Sequence, residues 1–186
     1  MLRLLFIHFI TALTITTTAY ANPTTWQNEW PSTNFTKTTI ENWSEIMSGG
    51  PPKDGIPAID DPKFVPAQSI RHIPGNEPVI TLELDNQTPR AYPLRYLMYH
   101  EIVNDIVGNT QIAVTYCPLC NSAMTFDRTV YGRILSFGVS GKLRNSDMVM
   151  YDRETQSWWQ QAIGEGIVGD MTGVKLKTLP SWMESL

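Results

Sequence analysis

Beyond residue 109 the apolar residues leave any helical period and fall into short runs split by turn formers. This restricts the C-terminal half to strands. The runs cover 111–115, 124–126, 133–139 and 148–151, with a further one at 157–163. Tyr131-Gly132, Ser140-Gly141 and residues 152–154 supply turns, and the glycine-rich stretch 164–173 reads as loops. Runs this short, joined this tightly, pair antiparallel as a meander. Trp158 and Trp159 point to opposite faces of the last run, so at most one of them needs a place in the core.

The first half adds helix. Residues 78–84 alternate as a strand, Asp85-Asn86 turns the chain, and 88–92 extends again. Pro93 suits a helix N-terminus, and Leu94, Met98, Ile102 and Ile106 form a stripe with Leu97 and Val103 beside it. A helix over about 93–105 follows, with a second reading left open in which His100 breaks it into a short helix and an extended piece. Residues 38–47 show a short helical pattern ended by Gly49-Gly50-Pro51-Pro52. The class expected is therefore α+β, an antiparallel meander of short strands with a few helices in one domain.

Residues 1–21 have the form of a signal peptide: Arg3, an apolar core over 4–13, and the small-x-small ending Ala19-Tyr20-Ala21. They predict export to the periplasm or the medium, with residues 22–52 as an N-terminal extension. No later stretch is long and apolar enough to span a membrane. The full chain carries 14 Lys+Arg against 18 Asp+Glu, a net charge of −4, and loses Arg3 with the leader. Without a basic stripe, nucleic acid is excluded as a partner. Without a phosphate loop or dinucleotide fingerprint, no nucleotide cofactor is expected.

The chain has only two cysteines, in Cys117-Pro118-Leu119-Cys120 directly after an apolar run. In an exported protein such neighbours oxidise unless a metal or a reductant holds them. A ring this short adds little chain-entropy stabilisation, which shifts weight from stability to chemistry. Three readings follow. Cys117 and Cys120 could bind or transfer a soft, copper-like metal ion with His100 as third ligand, and Met124, Met148 and Met150 lie nearby, although core packing is the plainer role for the methionines. Zinc is the other metal such a pair could take, but it asks for about four donors. Alternatively the pair is a thiol-disulfide oxidoreductase, with Cys117 attacking, Cys120 resolving, and Arg144 or His100 favouring the thiolate. The third reading is a binding module with an inert bridge. The partner in each case is a small molecule, a metal ion or a protein thiol.

Two other stretches could serve such a site. On a helix His100 and Asn104 share one face and Glu101 and Asp105 the next, which would set a general base beside an orienting carboxylate. In the run 138–147, Lys142 and Arg144 could meet an anionic ligand or those carboxylates.

Several motifs occur in order: Asp54-Gly55-Ile56-Pro57, Arg90-Ala91-Tyr92-Pro93, His100-Glu101-Ile102-Val103-Asn104-Asp105, Val114-Thr115-Tyr116-Cys117-Pro118-Leu119-Cys120, Phe137-Gly138-Val139-Ser140-Gly141 and Met150-Tyr151-Asp152-Arg153. In these the chain resembles a family of exported prokaryotic proteins of unknown function, over residues 53–184. The resemblance implies one family domain over 53–186. It places Arg90, His100, Glu101, Asn104, Cys117, Cys120, Ser140, Arg144 and Asp152 within the family's motifs. Asn121 departs from the resemblance, which leads one to expect glycine after the second cysteine.

Overall fold

A computed structural model describes residues 23–186, so the signal-peptide reading of 1–21 lies outside the described residues. In chain order the strands are β1 (Ile46–Ser48), β2 (Pro78–Leu82), β3 (Arg90–Pro93), β4 (Ile102–Val107), β5 (Thr110–Cys117), β6 (Ser122–Asp127) and β7 (Thr129–Val130). They continue as β8 (Arg133–Ile134), β9 (Phe137–Arg144), β10 (Asp147–Asp152), β11 (Trp158–Gln160), β12 (Glu165–Val168), β13 (Lys177–Thr178) and β14 (Ser181–Ser185). One α-helix, α1 (Leu94–His100), lies between β3 and β4. The α+β expectation is thereby overturned: the fold is predominantly β, in four sheets, and α1 is the sole α-helix among the described residues. None of the described helices is long and apolar enough to cross a membrane.

The second reading holds: a short helix ending at His100 is followed by an extended piece, and a continuous helix over 93–105 does not form. After seven residues the helix ends, because Glu101 turns its backbone to φ +59° and the chain leaves extended as β4. Ile102, Val103 and Ile106 keep the helical spacing by coincidence. Their branched Cβ atoms suit a pleated strand better than a helix. Residues 38–47 likewise make only a 3-10 turn at Trp43–Glu45, capped where Asn42 Oδ1 accepts from Ser44 N at 3.0 Å, before entering β1. Within the expected loops of 164–173, β12 forms instead.

The sheets run β1-β9-β10-β11-β12, β13-β6-β5-β4, β14-β2-β3 and the small β7-β8 pair. Strand alternation divides the side chains among three clusters. Ala113 and Cys117 of β5 and Met148 and Met150 of β10 meet between the five- and four-stranded sheets. Ile112, Val114 and Tyr116 of β5 face the other way, onto α1 and the three-stranded sheet. Val149 and Tyr151 of β10 turn outward, beneath Trp30, Ile40, Trp26 and Phe35 of the N-terminal segment. Strands covered on both faces read as unbroken apolar runs. Trp158 and Trp159 do point to opposite faces, yet both are 0 % exposed, because each face has its own covering layer. Trp30 stands edge-on to Trp158 at 5.4 Å and to Tyr151 at 4.9 Å, which fixes the N-terminal cover in place.

The turn expected at Ser140-Gly141 lies elsewhere. β9 and β10 turn at Asn145 (φ +50°) and Ser146 (φ +71°), a two-residue hairpin whose twist matches its strands. Ser140 and Gly141 are instead a bulge, since the register passes from Val149↔Lys142 to Met150↔Val139. Gly141 takes φ +72°, and a Cβ there would run into the Pro51 carbonyl oxygen. Gly132, at φ +76° in the β7-β8 turn, has open space around it. Gly132→Ala should therefore cost about 1 kcal/mol from backbone conformation alone. Gly141→Ala should cost about 3 kcal/mol, because the 51–52 segment must also move. Urea unfolding midpoints of the two variants test this, and equal costs would rule out the close approach as the cause.

Candidate functional site

The alternation of β5 sends Cys117 inward at its last position, where it is 1 % exposed, while the turn that follows carries Cys120 out to the surface. The two cysteines stand as a disulfide pair, with Cα atoms 5.6 Å apart. Beyond them Cys117 and Ser122 are register partners, so the ring caps a β5-β6 hairpin. Asn121 closes that hairpin at φ +47°, the left-handed backbone that glycine would adopt, and its Oδ1 accepts from the Tyr116 hydroxyl at 2.9 Å. Asparagine serves here because its short polar side chain tolerates that conformation.

Two polar groups approach the outer sulfur. Ser122 Oγ lies 3.2 Å from Cys120 Sγ, and Asp147 Oδ1 lies 3.5 Å from it. Asp147 opens β10 and is buried, and Ala162 N donates to its Oδ2 at 3.1 Å. Burial pushes the Asp147 carboxyl above its usual range, against hydrogen bonds from the Ala162 backbone and the Gln160 side chain that pull it down. Beneath the turn Gln161 is fully buried. Its Nε2 donates to Thr115 Oγ1 at 3.0 Å, and its Oε1 accepts from Ser122 Oγ at 3.0 Å. This floor leaves no amide polarity unpaired and fixes the hairpin to the residues after β11.

On the inner side Cys117, Pro118 and Leu119 line a cleft of about 50 Å³ with Glu101, Lys142 and Pro51. Lys142 is committed elsewhere, its Nζ 2.8 Å from Glu29 Oε2. Glu101 is held at both ends of its peptide: its N–H donates to the Leu97 carbonyl and its carbonyl accepts from Tyr116 N, both at 2.8 Å. That bracing sustains a φ of +59° that glutamate otherwise avoids, a form of strain found at working sites. Its half-buried carboxyl has no hydrogen-bond or ion-pair partner among the described residues, and burial pushes it up to about 7.

The sequence-derived residues separate into two groups. Cys117, Cys120 and Glu101 share one locality. His100 ends α1 with its Nδ1 2.7 Å from the Pro57 carbonyl oxygen, to which it donates. Asp147, rather than His100, is the third donor grouped with the two sulfurs, all within 4.8 Å, and these three atoms could hold a metal ion. Arg144 lies opposite Asp147 in the hairpin register, and its guanidinium is bound to Glu45 at 2.9 Å and Gln160 at 3.0 Å. Asn104 shares no helix face with His100, since it lies in β4. It ties that strand to β9 through Phe137 N (2.9 Å) and Phe137 O (2.8 Å). Asp152 accepts from Trp159 Nε1 at 2.8 Å and from Thr155, which organises the turn after β10. Met148 and Met150 are core residues. Sequence reasoning missed Ser122 and Gln161 and read Asp147 as loop. The one available signal was an acidic residue immediately after the Asn-Ser turn.

Residues 53–186 match the family described as "Protein of unknown function (DUF3179)", and the chain belongs to that family. No curated protein and no solved structure matches the chain.

Glu101 gives the site a pH signature. The folded protein retains this proton between the ordinary value of 4.5 and about 7, where the unfolded chain has released it. The folded state then binds more protons, so stability falls as pH rises through that window and levels off above it. Glu101→Gln should remove this slope and exceed the parent's stability near pH 8 by about 1 kcal/mol, a figure discounted for the group's partial solvation. Denaturant unfolding across that pH range measures it. Parallel profiles for parent and variant would exclude the shifted carboxyl.

Proposed function

We propose that the Cys117–Cys120 pair exchanges its disulfide with the dithiol of a partner, in a protein exported to the periplasm or the medium. The observation that carries this reading is the asymmetry of the pair: one sulfur-bearing residue is exposed and the other is 1 % exposed. Exchange needs a sulfur that an attacking thiolate can reach, and an inert structural bridge does not. The roles are the reverse of those expected from the order in the chain. Cys120 is the sulfur under attack, and Cys117 departs into the cleft.

A partner thiolate attacks Cys120 Sγ, the disulfide breaks, and its electron pair leaves on Cys117 Sγ. Glu101, which lines the same cleft and keeps its proton near neutral pH, protonates that thiolate. The partner's second thiolate then attacks the partner sulfur of the mixed disulfide. The partner leaves oxidised, and Cys120 leaves as a thiolate that takes a proton from solvent, as the Glu101 carboxylate then does; the Cys120 thiol hydrogen-bonds to Asp147 Oδ1, 3.5 Å away. Two electrons and two protons have passed to the pair.

Soft-metal transfer is less well served. Copper(I) favours thiolate, thioether and imidazole, whereas the third donor grouped here is a carboxylate. If the reduced pair takes a metal, two sulfurs and one oxygen suit zinc better.

Titration of the native protein against dithiol redox buffers tests the proposal. Exposed exchangeable disulfides reduce above roughly −300 mV, and this pair should do so without unfolding. Cys117→Ser should form a stable mixed disulfide with glutathione through Cys120, whereas the buried thiol of Cys120→Ser should react on the order of 100-fold more slowly. Reduction that requires denaturant would end the exchange reading. Tight stoichiometric zinc uptake by the reduced protein, with no exchange activity, would replace it by metal binding.

A further inference from the structure

A cavity of about 320 Å³ lies on the opposite face of the four-stranded sheet from the disulfide, between residues 59–73 and the helix α1. We infer that it is a binding site for an uncharged, largely apolar small molecule containing a ring. This inference stands apart from disulfide exchange, since Val103 lines the cavity from the sheet face that points away from Cys117.

The cavity is held open. Ile59 is locked onto β4 by two backbone hydrogen bonds, Ile59 N to Ile102 O at 2.9 Å and Asn104 N to Ile59 O at 2.8 Å. Five residues on, Phe64 stands edge-on to Tyr92 at 5.5 Å with the Arg90 guanidinium 4.5 Å over its ring. Both ends of residues 60–63, which form part of the wall, are thereby pinned. Phe64, Val65 and Tyr96 are left 42 %, 62 % and 44 % exposed at its edge. An apolar lining without atoms opposite it forfeits dispersion contacts, which a ligand of matching character restores.

Charge decides the class of ligand. The ionic groups beneath the cavity satisfy one another: Asp105 accepts from Arg90 and, at 2.7 Å, from the Tyr92 hydroxyl. At the rim Asp61 pairs with Lys63, both about 80 % exposed. His72 adds one exposed imidazole to the lining. A charged ligand would therefore lose its hydration without gaining a buried counter-charge. The aromatic side chains of Phe64, Tyr92 and Tyr96 in the lining favour a flat ring.

The full chain, oxidised, should be titrated with naphthalene, naphthoate and naphthylmethylammonium, reading thermal stability and probe fluorescence. Naphthalene should raise the melting temperature and bind one per chain, with both charged analogues at least tenfold weaker. Ala91→Trp, which places a large side chain in the cavity from β3, should abolish the shift. Tyr96→Ala, at a partly exposed position that tolerates truncation, should weaken it severalfold and keeps the test decisive if the tryptophan variant fails to fold. No shift up to the solubility limit of naphthalene, equal binding of the charged analogues, or binding indifferent to Tyr96→Ala would each overturn the inference. So would an apolar peptide binding tenfold tighter than naphthalene, since the cavity would then be a protein-docking surface.

Discussion

Two strands, β5 and β10, are buried on both faces, and the rest of the architecture follows from that. A strand with two apolar faces needs a layer on each side. The five- and four-stranded sheets supply one contact to each other, α1 and the three-stranded sheet cover the far face of β5, and the tryptophan-rich N-terminal segment covers the far face of β10. The hydrophobic effect thus fixes the order of layers before any specific polar contact is made. Where β5 runs out of this stack, at Cys117, the chain crosses from interior to surface within three residues.

That crossing explains how the site is arranged. Cys117 takes its environment from the core and Cys120 takes its environment from solvent, so two chemically identical side chains become inequivalent. The carboxyls are placed by the same logic. Glu101 sits where α1 gives way to β4, braced by the peptide that precedes Cys117, and Asp147 sits where the β9-β10 hairpin returns to the sheet. Each carboxyl is carried by a junction between elements, which is where a partly buried charge can keep contact with water.

Much of this was legible from residue order, and the failures have physical causes. The strands at 111–115, 124–126 and 148–151 were visible because β-branched and aromatic residues are packed between turn formers. The continuous-helix reading through β4 arose because Ile102 and Ile106 keep a four-residue spacing, which two positions on one face of a strand satisfy as readily as a helix stripe does. Trp158 and Trp159 were judged as though one sheet face met solvent, and nothing in the local sequence reveals a third layer. The cysteine pair and Glu101 were found by residue type and adjacency. Asp147 and Gln161 were not, because strand pairing brings them to the cysteine turn from separate parts of the chain, and Ser122, two residues after Cys120, carried no signal beyond its hydroxyl.

The hairpin that carries both cysteines has a mechanical consequence. The ladder from Ile112↔Asp127 to Cys117↔Ser122 is complete without the sulfur–sulfur bond, and the Gln161 amide clamps its end independently. Opening the ring removes none of the backbone pairs of this ladder. Under the disulfide exchange proposed above, a ladder that does not depend on that bond serves as a reusable platform rather than a part consumed in one turnover.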